Sequence, residues 1–159
     1  MTVIAWDGET LAADKRAVDG AGAIATTTKI WRCKNALLAV TGSWDVGVEM
    51  REWWASGAGP EKFPEVARKN DASLIVFSSV GIEEYCAAPY PMLIEDSKYA
   101  AGTGRKYALA AMACGKSAME AVEIACRFQS DCGNGVDVLR LHPVEIVRAK
   151  HDLDTLLRK

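Results

Sequence analysis

Three short segments hold the residues best able to do chemistry: Thr2-Val3-Ile4-Ala5, Leu11-Ala12-Ala13-Asp14-Lys15-Arg16-Ala17 and Thr28-Lys29-Ile30. Together they offer a hydroxyl, a carboxylate and an ammonium. A hydroxyl is a poor nucleophile until a base takes its proton. At a chain terminus that base can be the residue's own α-amine, whose reference pKa near ~8 needs only a modest depression to work at neutral pH. Thr2 becomes terminal if Met1 is removed, and threonine is small enough for methionine aminopeptidase to expose it. No histidine is then required, which suits a chain whose two histidines, His142 and His151, both lie beyond residue 141. Alone, Thr2 says only that Met1 can be removed. If Met1 stays, the Thr2 nitrogen is locked in a peptide bond and cannot act as base.

Other chemistry-bearing spacings are weaker. Ala110-x-x-x-x-Gly115-Lys116-Ser117 matches a relaxed phosphate-loop pattern. That loop works only between a strand and a helix, and the preceding residues are helical in character. A helix stop followed by a capped helix is the better reading. Gly102-Thr103-Gly104 before a helix could bind an anion, a weak signal by itself. Cys132 beside Asp131 lacks a suitably spaced histidine and reads as a structural thiol. No C-x-x-C pair occurs among Cys33, Cys86, Cys114, Cys126 and Cys132. No metal site or cofactor is expected, and the cysteines read as reduced thiols.

The elements that must position these residues can be read from pattern. Val3–Trp6 and Thr10–Ala13 read as strands joined by the tight-turn signal Asp7-Gly8. Centring that turn on Gly8 sets Thr2 opposite Asp14. A slip of one residue would turn Thr2 to the other face. Asp14-Lys15-Arg16 could be a solvated strand end, but the apolar run Leu11-Ala12-Ala13 points to a buried strand that delivers Asp14 to an edge. Thr26–Trp31 and Ala36–Thr41 read as two more strands. A helix follows Gly42-Ser43, with Val46, Met50, Trp53 and Trp54 on one face, and Gly57 and Gly59-Pro60 stop it. Helical spacing favours packing over a pocket role for Trp44, Trp53 and Trp54. Residues 60 to 71 read as a loop with at most a helical turn. Leu74–Ser79 and Ile82–Ala87 form a second hairpin, which Pro89 and Pro91 break. Helices over about Arg105–Ala113 and from Ser117 to about Ser130 follow, the second opened by the capping box Ser117-x-x-Glu120. Val136–Leu141 returns as a strand. The tail from Val144 reads as a short strand and a charged amphipathic piece. Strands, helix, strands, two helices and strand suggest two antiparallel sheets sandwiched by helices.

In order and spacing the three segments resemble the proteasome β-subunit family, most closely its short HslV-type peptidase branch, compact versions of which occur in bacteriophages and prophages. The resemblance runs roughly from Thr2 to Leu141. It continues at Thr41-Gly42-Ser43, Ala101-Gly102-Thr103-Gly104 and Ser130-Asp131-Cys132-Gly133. It implies an α+β N-terminal-nucleophile (Ntn) hydrolase fold, an αββα sandwich, here with a reduced second helix at residues 60 to 71. It implies Thr2 as nucleophile, Lys29 beside its hydroxyl, Asp14 orienting Lys29 with Arg16 in the same charge network, and Gly42 N–H as oxyanion donor. Thr103 stands where the family usually has a serine that supports the terminal amine. Asp131 matches a family aspartate that acts through its neighbours. A homo-oligomer, a ring in the family, and an AAA+ unfoldase partner are also implied; the short 60–71 segment leaves ring packing and ATPase docking open.

The 159 residues fit one domain, expected over 1–142, with a C-terminal extension over 143–159. A net charge of −2 without a basic cluster argues against nucleic acid. No apolar run is long enough to span a bilayer, and no signal peptide is read, so a cytoplasmic protein is expected. The reading is a threonine peptidase that cleaves peptide bonds through an acyl ester once Met1 is gone. Its rivals are a catalytically silent structural relative and an amidase for small amides on the same fold.

Overall fold

The computed structural model describes residues 2–19, 21–22, 24–69 and 71–141. Met1, both histidines, the expected tail strand and the C-terminal extension lie outside the described residues. The strands are β1 (Val3–Trp6), β2 (Thr10–Asp14), β3 (Arg16–Val18), β4 (Ile24–Thr26), β5 (Ile30–Cys33), β6 (Ala36–Gly42), β7 (Ala72–Ser78), β8 (Gly81–Tyr85), β9 (Met92–Ile94), β10 (Tyr99–Gly102) and β11 (Val136–Arg140). The helices are α1 (Trp44–Ala55), α2 (Arg105–Ala113) and α3 (Ala118–Phe128).

Two antiparallel sheets stack face to face, ordered β10-β1-β2-β11 and β5-β6-β7-β8-β9. Helices cover both outer faces, so the central strands are apolar on both sides rather than alternating. The period of two sorts their side chains into three layers. Ile4, Trp6, Leu11, Ala13, Leu37, Ala39, Ile75 and Phe77 fill the space between the sheets. Val3, Ala5 and Ala12 face α2 and α3, where Ala108, Met112, Ala121 and Val122 meet them. Leu38, Val40, Leu74 and Val76 face α1 through Val46, Met50 and Trp53. This is the expected αββα sandwich. Where a longer chain could place another helix, two short 3₁₀ turns stand instead, Pro60–Lys62 and Glu65–Arg68.

Two features of the strands differ from the sequence reading. The segment read as one strand over Thr26–Trp31 splits: β4 ends at Thr26, residues 27–29 are extended without ladder pairing, and β5 begins at Ile30. The first hairpin is also one residue off the expected register. Ile4 pairs with Ala13, Ala5 with Ala12 and Trp6 with Leu11. The cause is the turn, which holds two residues, Gly8 and Glu9, between Asp7 and Thr10. Asp7 Oδ1 accepts from Glu9 N at 3.2 Å and Thr10 N at 2.8 Å, and Asp7 N donates to Thr10 O at 3.2 Å. The other Asp7 oxygen accepts from Ala118 N at 2.9 Å, tying the turn to the first residue of α3. Continuing this register sets Val3, not Thr2, across from Asp14.

Among the described residues no helix is long and apolar enough to cross a membrane.

Candidate active site

Three polar residues are buried in the described protein: Thr2, Asp14 and Lys29. They meet. Thr2 Oγ1 donates to Asp14 Oδ1 at 2.9 Å, and Lys29 Nζ reaches the same oxygen at 2.7 Å. The hydroxyl and the ammonium therefore share one hydrogen-bonding shell. The contact survives the shifted register because Thr2 lies just outside β1. Its neighbour Val3 also donates its N–H to Asp14 Oδ1, at 2.9 Å. The second carboxylate oxygen accepts from Arg16 N at 3.2 Å and Gly133 N at 3.0 Å. Five donors on one fully buried carboxylate fix its position and leave little of its acceptor capacity unused.

Each partner is delivered by a separate element. Asp14 ends β2. Lys29 sits in the extended stretch before β5, where its carbonyl accepts from Val40 N at 3.1 Å. Burying an ammonium and a carboxylate costs several kcal/mol per ion by general estimate, and such a pair persists only with good geometry and further hydrogen bonds. Both conditions are met.

Thr2 is held from its other side. Its carbonyl accepts from Gly104 N at 3.2 Å and from Thr103 Oγ1 at 3.3 Å. Thr103 thus touches the Thr2 carbonyl. Gly102 has φ of +85°, and a Cβ there would lie 2.2 Å from Thr2 O, so only glycine lets β10 approach so closely. Gly42, at the end of β6, has φ of +80°, and a Cβ would lie 2.2 Å from Asp71 O.

Thr2 opens onto two cavities. One, of about 550 Å³, is walled by Thr41, Asp71, Glu84, Tyr99, Thr103 and Arg105, and is mostly polar. The other, of about 230 Å³, is walled by Ala17, Val18, Thr27, Val40 and Trp44, and is mostly apolar. Thr2, Thr41 and Gly42 line both, so the two cavities adjoin the Thr2 residue. Trp44 therefore lines a pocket, whereas Trp53 and Trp54 pack in the layer between α1 and the sheet.

The loop after α3 contributes through its backbone. Asp131 accepts a hydrogen bond from Ser130 Oγ at 3.2 Å. The atoms of this loop that reach the site are Gly133 N–H, on Asp14, and the Ser130 carbonyl and Asn134 Oδ1, both on the Arg16 guanidinium. Arg16, expected in the charge network, instead reaches Asp14 only through its backbone N–H, and its guanidinium holds the neutral groups of this loop. The sequence reading picked out Ser130-Asp131-Cys132-Gly133 as a segment but missed Asn134 and the backbone role of Gly133, since a main-chain N–H carries no side-chain signal. Cys132 is buried, with its sulfur 3.9 Å from Thr103 Oγ1. Burial, with the Asp14 charge adding to it, pushes its thiol up to about 12, so it is a neutral packing group at physiological pH. All five cysteines are free.

No protein-family model and no curated protein matches the sequence. Solved structures do match. Eukaryotic HslV from Trypanosoma brucei is similar with a TM-score of 0.67 at 21% identity, over 89% of this chain and 99% of that one. The BPH protein of Thiobacillus denitrificans in complex with epoxomicin gives a TM-score of 0.67 at 21% identity, over 90% of this chain and all of that one. A second structure of Thiobacillus denitrificans BPH gives a TM-score of 0.64 at 22% identity, over 89% of this chain and 98% of that one. The chain has the fold of these proteins along almost its whole described length.

Proposed function

We propose that this chain is an N-terminal threonine amidohydrolase, a proteasome-like or HslV-like peptidase that becomes active when Met1 is removed. One observation carries the reading: Thr2 Oγ1 and Lys29 Nζ converge on a single oxygen of fully buried Asp14, at the meeting point of two cavities. A structural protein has no evident use for a buried lysine, carboxylate and hydroxyl at the floor of an open cleft, and pays desolvation for them.

The proposed steps use these residues as follows. The freed α-amine takes the proton of Thr2 Oγ1, and the oxygen attacks the scissile carbonyl. Lys29 and Asp14 hold the hydroxyl in place, and the lysine charge favours the neutral amine and the developing alkoxide. The tetrahedral oxyanion forms against the Gly42 N–H. Collapse breaks the C–N bond, and the ammonium passes its proton to the leaving amine. The product is an ester on Thr2. A water activated by the same amine hydrolyses it, which restores the hydroxyl and releases the acid. Thr103 and Gly104 fix the Thr2 carbonyl so that amine and hydroxyl keep one mutual geometry. Asp131 acts at one remove, through the loop that carries Gly133.

Peptide is the substrate class proposed, supported by the two cavities that Thr2 lines, which leave room on more than one side of the nucleophile. The finer placement rests on the resemblance: a compact member of bacteriophage or prophage type, cytoplasmic, oligomeric, with a ring and an AAA+ unfoldase as the family arrangement. The domain is taken as 1–142, with 143–159 as an extension.

A peptide epoxyketone tests the chemistry, and one structural neighbour is solved with epoxomicin. The protein, shown by intact mass to lack Met1, is expected to gain one epoxomicin per chain, and Thr2→Ala none. A processed, folded protein that gains nothing would overturn the enzyme in favour of the silent relative. Cleavage of small amides but no peptides would overturn the peptidase in favour of the amidase.

A further inference from the structure

We propose that Asn134 is a positioning residue for the threonine site, locking the loop that supplies a partly buried backbone donor to Asp14 to the wall of the smaller cavity. The inference rests on the threonine-nucleophile reading above.

Asn134 is one of three non-glycine residues with positive φ among those described, at +63°. Asparagine tolerates this region better than most residues. The conformation turns its amide back across the loop, where all its polar faces are used. Nδ2 donates to Ala25 O at 3.3 Å and to Thr26 Oγ1 at 3.2 Å, both on β4. Oδ1 accepts from Arg16 Nε at 3.2 Å, on β3. The same guanidinium donates to Ser130 O. It also lies flat against Gly133, where a Cβ would meet Arg16 Nη2 at 2.8 Å.

These contacts form one chain of constraint. β3 and β4 pair with each other, Arg16 opposite Thr26. Ala17 and Val18, next to Arg16, wall the 230 Å³ cavity that holds Thr2 and Lys29. Asn134 staples this hairpin to the loop. The loop presents Gly133 N–H to Asp14 Oδ2, while Gly133 O accepts from Lys15 N at 2.9 Å. Asp14 in turn holds the Thr2 hydroxyl and Lys29. Asn134 touches neither nucleophile nor cavity, so its effect on the reaction passes through Gly133 and Asp14. A site that depends on a donor from a loop outside helix and strand needs such an anchor, because small misplacements at the reacting centre cost large factors in rate.

Asn134→Gly deletes the amide and keeps the backbone, since glycine accepts φ of +63° without strain. Asn134→Asp keeps the acceptor for Arg16 and loses both donors to β4. Processed protein is labelled with epoxomicin, and three quantities are read: the first-order rate at saturation, the half-saturating concentration and the final labelled fraction. Asn134→Gly is expected to label to the same final fraction with a saturating rate about tenfold lower and a half-saturating concentration within about twofold. Asn134→Asp is expected between it and wild type. A merely structural residue would lower the labelled fraction and leave the rate of the folded fraction unchanged, and that result overturns the proposal. So does an unchanged rate in Asn134→Asp if Asn134→Gly does not fold. Failure of wild type to label sinks the nucleophile reading itself, which is a different outcome from wild type labelling at the same rate as the variants.

Discussion

Lys29 and Gly42 show how much a single residue decides here. Lys29→Ala removes the ammonium from a buried ion pair, so it bears on the fold as well as on turnover. Lys29 is 4% exposed and its partner Asp14 is fully buried, so removing the ammonium leaves an uncompensated charge. Such a loss costs about 3–5 kcal/mol as a rule, and the four remaining donors on Asp14 place this case toward the lower end. Lys29→Ala is therefore expected to lose epoxomicin labelling by at least about 100-fold and to melt measurably lower; normal labelling would remove Lys29 from the mechanism. At Gly42 a methyl group would collide with the Asp71 carbonyl, in a φ region that alanine avoids. Gly42→Ala is expected to cost about 1–3 kcal/mol by denaturant unfolding and to lose labelling with it. A variant as stable and reactive as wild type would show that neither the close approach nor the backbone geometry matters. At this scale the sequence was informative where a side chain does the work. Thr2, Asp14, Lys29 and Thr103 all fall within the site. It was uninformative for Gly133 N–H and the Ser130 carbonyl, which are main-chain groups, and it named Asp131 where the adjoining backbone makes the contact.

Elements were legible in proportion to their length and periodicity. α1 was found from Val46, Met50 and Trp53, whose helical spacing is also their burial pattern. α3 was found from its cap: Ser117 Oγ accepts from Glu120 N at 3.3 Å, and Glu120 Oε2 accepts from Ser117 N at 3.0 Å. β3, β4 and β9 span three residues each, too short for a period of two to register. β10 reads Tyr-Ala-Ala-Gly, a poor strand by propensity, held by its pairing with β1. The hairpin register escaped because Asp7's side chain, rather than Gly8 alone, sets the turn. The α3 cap also gives a pH dependence. Hydrogen bonds from the Ser117 backbone, then from Lys116 and the Ser117 hydroxyl, lower the Glu120 carboxyl to about 2. A carboxyl lowered on folding stabilises the folded state above its unfolded pKa, and that contribution fades as pH falls through its folded value. Acid should therefore weaken the start of α3 between about pH 4.5 and 2. Glu120→Gln should flatten the fall in melting temperature over that window; an identical acid profile in both proteins would show the cap does not titrate with folding.

Among the described residues, several large apolar side chains lie open at the surface. Tyr90, Met92 and Leu93 stand exposed on and beside edge strand β9, and Phe128 is 67% exposed, stacked on Tyr107 across α2 and α3. Open apolar edges of this kind are usually covered. Native mass spectrometry is expected to find multiples of the 17.2 kDa chain; a monomer at micromolar concentration would contradict the oligomer. The order of elements pointed to two antiparallel sheets sandwiched by helices, and the family resemblance to the αββα arrangement that the structure has.

The mass spectrum of the N-terminal peptide after exposure to epoxomicin tests the threonine nucleophile most directly. The peptide is expected to begin at Thr2, lack Met1 and carry the inhibitor on that residue. A peptide that still begins with methionine, or one that begins at Thr2 and stays unmodified while the protein is folded, would contradict the threonine nucleophile.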